Sequence, residues 1–144
     1  MYFPELFGPL LRTLIHLTSL TQCPLTLESK PVKVVISYKI RSLPKESPFW
    51  SAFGLWFTFQ PVLFRRCNET DGHDEEWTSF GAVEGDRTFI FVAYRRPESF
   101  AWEVPPSDRD LIDGVGARDT DKRKGDDAFE TLLFMTMEPT VITN

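Results

Sequence analysis

Two arginine pairs, Arg65-Arg66 and Arg95-Arg96, each stand directly after a run of aromatic and aliphatic residues. A guanidinium donates its hydrogen bonds in a planar fork that fits carboxylates and phosphates. Brought to one rim of a sheet, the four would form a patch for an anion, a phosphate or an acidic partner. The competing reading is that charges at strand ends discourage aggregation. A third basic cluster, Lys122-Arg123-Lys124, is embedded among aspartates and reads as a solvated segment of mixed charge.

The acidic run "NETDGHDEE" gathers Asp71, His73, Asp74, Glu75 and Glu76, oxygen and imidazole donors suited to a divalent ion. Its spacing is not that of an EF-hand. With Gly72 at the loop glycine, Thr78 falls where a bidentate Glu is required. A solvated loop is expected, and no metal. Nucleophilic catalysis needs a nucleophile, a base and an orienter. The chain has two histidines, His16 in an apolar helical pattern and His73 in the acidic run. There is no G-x-S-x-G, and "GVGARD" lacks the preceding strand and following helix of a phosphate loop. Glu84, Glu103 and Glu130 flank predicted strands and are the candidates for acid/base work. No catalytic residue is assigned and no cofactor is expected.

Trp56 and Phe57 lie in "FGLWFTFQPVLFRRC", Phe53 to Cys67, which has five rings in its first twelve residues. Such rings fill a core or line a cavity for an apolar ligand. With the four arginines, these two complete the candidate binding residues.

The elements that must position these groups follow from periodicity. Phe3, Leu6, Phe7, Leu10, Leu11, Leu14, Ile15 and Leu17 recur at helical spacing and predict an N-terminal amphipathic helix within residues 1–22. In "PVKVVISYKIR", Val32, Val34, Ile36, Tyr38 and Ile40 alternate with Lys33, Val35, Ser37, Lys39 and Arg41, a strand with one buried and one mostly wet face. "SLPKESP" reads as a loop because of its two prolines. Phe53, Leu55, Phe57 and Phe59 alternate as a second strand. "WTSFGAVEGDRTFIFVAYRR" reads as a hairpin around Glu84-Gly85-Asp86, and Phe100, Trp102 and Val104 mark a further short strand. Pro105 to Asp127 reads as a long, mobile, polar loop with at most a helical turn at "SDRDLID". "FETLLFMTME" predicts a last strand. One domain over residues 1–144 is expected, mainly β, an antiparallel meander forming a small barrel or sandwich capped by the helix.

Charge and composition exclude some functions. A formal net charge of -5 opposes general nucleic-acid binding, which needs basic excess to displace counterions. No run has the length of a transmembrane helix. Cys23 and Cys67 are too few for a disulfide scaffold and are expected as free thiols. The start "MYFPELFGPLLRTLIHLTSLTQC" has the outline of a signal peptide, but Glu5 and the lack of a basic residue before the apolar stretch argue for mature structure. The chain is therefore expected to be intracellular, with secretion as the alternative. Three function classes remain. The leading one is a non-catalytic interaction or structural protein, of a viral accessory or matrix type, that binds a protein partner or self-assembles through a sheet edge, the helix or the arginine-flanked surface. The alternatives are a barrel carrying an apolar small molecule and a small enzyme with an acid/base pair in an aromatic cavity.

Overall fold

The computed structural model describes residues 3–20, 30–65, 76–79 and 88–117. A 3-10 turn over Pro4–Leu6 leads into helix α1, Phe7–Ser19. Pro9 lies in its first turn, where the missing N–H has no intrahelical partner to lose. Phe7, Leu11, Ile15 and Thr18 form the buried stripe. Thr18 is tolerated there because its hydroxyl donates back to the Leu14 and Ile15 carbonyls. The predicted N-terminal helix is present.

Strand β1, Lys33–Lys39, follows the expected alternation. The next element does not match expectation. Residues read as a loop and the start of a strand form helix α2, Leu43–Trp56. Pro44 sits in the first turn, where its fixed φ suits a helix. Pro48 lies inside and removes one backbone bond, at about 3 kcal/mol. Phe49, Trp50, Phe53 and Trp56, at i, i+1, i+4 and i+7, are completely buried on the same helix. At about 2–3 kcal/mol each, four such rings outweigh the proline. Phe57 turns extended (φ -129°, ψ 144°), the period changes to two, and strand β2 runs over Phe57–Pro61.

Among the described residues, strand β5, Thr88–Arg95, is the centre of a three-stranded antiparallel sheet with β1 on one side and β2 on the other. Strands β3, Leu63–Phe64, and β4, Thr78–Ser79, form a separate antiparallel pair. The antiparallel sheet is as expected, but the meander and the closed barrel are not. Sequence neighbours β1 and β2 are separated by β5, and the three strands this sheet has among the described residues do not close into a wall. The fold is mixed α/β. The expected hairpin places its two arms in different sheets, and its turn lies outside the described residues. The segment around Phe100 is a 3-10 turn, Pro97–Ala101, not a strand. The predicted strand at 129–138 lies outside the described residues, as do Cys23 and Cys67.

The polar segment after Pro105 carries helix α3, Asp108–Ile112, with the Ser107 hydroxyl accepting from the Asp110 N–H as its N-cap. Leu111 is fully buried. Arg12 of α1 donates to Asp108 and to the Pro105 and Pro106 carbonyls. The remainder of that predicted loop, 118–127, lies outside the described residues. Helices α1 and α2 cover one face of the sheet, where Trp50 meets Tyr38, Phe59 and Phe91 with ring centroids 5.0, 5.8 and 5.3 Å apart. No helix among the described residues is long and apolar enough to cross a membrane.

Candidate functional site: an open strand edge

Among the described residues, Arg65, Arg95 and Arg96 do not come together as one patch. Alternation along β5 and beyond sends the Arg95 and Arg96 side chains in different directions. Arg95 points to the helix-covered face and is 8% exposed. Its guanidinium donates to the Ser99 hydroxyl and carbonyl, the Ile15 carbonyl, and the Thr18 and Ser19 hydroxyls. It also lies over the Trp56 and Phe100 rings, 5.2 and 4.8 Å from their centroids. Burial draws its pKa down to about 10, so it stays charged at neutral pH. The partial negative charge at the C-terminal end of α1 is its counterweight. Arg95 thus ties α1 to β5 and is not presented to a partner. Arg96 donates to the Gly54 carbonyl at 2.9 Å and lies 3.9 Å from Glu98. Arg65 is exposed, over the Trp77 ring at 5.0 Å. Arg66 lies outside the described residues.

Trp56 and Phe57 are core residues. Both are completely buried, Phe57 stacked on Phe53 at 4.6 Å and Trp56 edge-on to Trp102 at 5.2 Å. An open groove beside α1 and another between α2 and α3 are formed by described residues, and neither is lined by these rings. Glu103 is exposed, while Glu84, Glu130 and the acidic run from 68 to 75 lie outside the described residues. Among the described residues there is no group of three potential metal ligands. Glu46 is their one buried carboxylate, accepting from the Tyr38 hydroxyl and from the Arg41 and Ser42 N–H groups. It caps α2 and joins it to β1. Burial first, and then the neighbouring Glu46 carboxylate, push the Tyr38 hydroxyl well above its ordinary pKa.

The remaining feature is the outer side of β1. The Val62 N–H donates to the Ile90 carbonyl, and the Arg96 N–H to the Trp56 carbonyl, both at 2.8 Å. In an antiparallel ladder a residue turns its N–H and C=O to the same side. Even-numbered residues of β5 therefore face β2, and odd-numbered ones face β1. The odd residues pair with Val34, Ile36 and Tyr38. Lys33, Val35, Ser37 and Lys39 consequently direct their backbone groups away from the sheet. Among the described residues no strand lies beside them.

No family model, curated protein or solved structure matches this chain. Lys33, Val35, Ser37 and Lys39 are all exposed, Val35 at 61%, and their side chains lie on the sheet face opposite the helices. Exposed Lys30 and Arg41 flank them. None of these four cations has an ion-pair partner among the described residues. The opposite edge is different: β2 turns Pro61 outward, which has no N–H to offer.

Sequence reasoning placed β1 correctly as a strand and named a sheet edge as one binding route, but not which strand was the edge. The available signal was two lysines on the wet face, a common feature of edge strands.

Proposed function

We propose that this chain is a non-catalytic interaction module that receives an extended segment of another protein along β1. The observation that carries this reading is the row of outward N–H and C=O groups from Lys33 to Lys39. In strand addition such main-chain groups supply affinity, and alternate side chains supply specificity. The edge is well supported from behind. β1 pairs with β5 over its full length, from Lys33 opposite Tyr94 to Lys39 opposite Thr88. Tyr38 secures it to α2 through Glu46 and Trp50. The carrier reading is weaker because its candidate rings, Trp56 and Phe57, are completely buried and packed against Trp102 and Phe53.

The test is a proline at the edge. Val35→Pro removes one outward N–H and leaves the inward bonds of Val34 and Ile36 intact; Val35→Thr keeps the donor. With folding verified by circular dichroism, proteins captured from native-host extract by wild type and Val35→Thr should be lost with Val35→Pro. An unchanged set of captured proteins with the proline variant would overturn strand addition at β1.

A further inference from the structure

Building on strand addition at β1, we infer that the added segment is acidic, with two carboxylates six residues apart. The four residues that turn their backbone outward also carry their side chains on the uncovered face of the sheet. An added strand would place alternate side chains directly opposite them, with Cβ atoms about 5 Å away. Lys33 and Lys39 stand at the two ends of this row, and Val35 and Ser37 between them. The complementary segment has Asp or Glu opposite each lysine, with an apolar and a small residue at the two same-face positions between. In antiparallel order it reads acid, x, Ser/Thr, x, Val/Ile, x, acid. Lys30 and Arg41 extend the positive strip past both ends.

The strip is basic in a chain of net charge -5, so overall charge does not account for it. Of the acidic side chains among the described residues, Asp108, Asp110 and Asp113 lie on and just after α3, Glu5 and Glu98 lie in the 3-10 turns, and Glu46 is buried. Self-pairing is disfavoured by the same residues. Two β1 edges joined antiparallel at full overlap would set Lys33 against Lys39 twice, and like charges directly opposite destabilise a sheet. The lysines therefore reject a second copy and admit a segment of opposite sign.

Three ten-residue peptides test this, sharing one alternating Val/Thr frame and carrying Glu, Gln or Lys at the two positions six apart. Binding is read from peptide fluorescence anisotropy, and its location from amide exchange of β1. The Glu peptide should bind about tenfold more tightly than the Gln peptide, an advantage lost at high salt. The Lys peptide should bind most weakly. In Lys33→Glu/Lys39→Glu the order should invert. Equal binding of Glu and Gln peptides, or no inversion, would overturn the acidic partner while leaving strand addition standing. Failure of all three to protect the Val35 and Ser37 amides would overturn strand addition itself. A concentration-dependent dimer joined at β1, not displaced by the Glu peptide, would identify a second copy as the occupant and overturn the inference.

Discussion

Arg95→Met isolates the contribution of the buried guanidinium, since methionine keeps much of the packing against Trp56 and Phe100 without charge or donors. Few partners are stranded by the change. The Ile15 carbonyl still accepts from the Thr18 and Ser19 hydroxyls. The Ser99 carbonyl still accepts from the Trp102 N–H, and the Ser99 hydroxyl still donates to the Arg96 carbonyl. What is lost is a set of charge-assisted bonds, the best of them worth about 2 kcal/mol each and the set about 6. Opposing this is the cost of burying the cation. A pKa drawn from 12.5 to about 10 corresponds to roughly 3 kcal/mol. The net loss on substitution is about 3 kcal/mol, or about 10 °C in Tm for a chain of this size. Urea and thermal unfolding followed by circular dichroism measure it. Because the folded-state pKa lies below the ordinary one, stability is lost as pH falls through about 10, and the whole cost is already present below that. The difference between wild type and variant should therefore be flat between about pH 5 and pH 9. A variant within about 0.5 kcal/mol of wild type would refute the assignment of Arg95 as the tie between α1 and β5.

Tyr38→Phe should cost about 2 kcal/mol in urea unfolding, because the buried Glu46 carboxylate loses its hydroxyl donor. The Tyr38 pKa is raised, so its share of wild-type stability is complete below the ordinary tyrosine pKa and is lost as pH climbs beyond it. The variant should lack that alkaline loss, and an identical alkaline profile would contradict this. Gly8→Ala should destabilise by about 1–3 kcal/mol, since the new methyl would lie 2.5 Å from the Asp108 Cβ and push α3 from α1. Net stabilisation from the better helix former would show that α3 is not held against Gly8.

Alternation and helical spacing carried the reading where one period was present. Phe7, Leu11 and Ile15 fit only a helix, and Val34, Ile36 and Tyr38 only a strand. The stretch from Phe49 to Phe59 satisfied both periods, because Phe53, Trp56 and Phe57 suit a helix while Phe53, Leu55, Phe57 and Phe59 suit a strand. Two prolines then favoured the wrong choice, although one occupies a first turn and the other is outweighed by buried rings. That ambiguity hid helix α2 and started the expected second strand too early, while the strand order departs from the meander because β5 inserts between β1 and β2. The candidate site was misread for a related reason. Arg95 and Arg96 look like one patch in sequence, yet the strand's own pleat directs the first inward. Nothing local to Arg95 indicates that the carbonyls and hydroxyls at the end of α1, some eighty residues earlier, receive it.

Residue-resolved amide hydrogen exchange across β1 tests the central claim most directly. In the protein alone, Val34, Ile36 and Tyr38 should exchange slowly, and Lys33, Val35, Ser37 and Lys39 fast. Addition of a strand-forming partner should slow the second set and leave the first unchanged. Uniform protection of all seven amides in the protein alone would mean that β1 is already paired on both sides, and would contradict the open edge on which the proposed function depends.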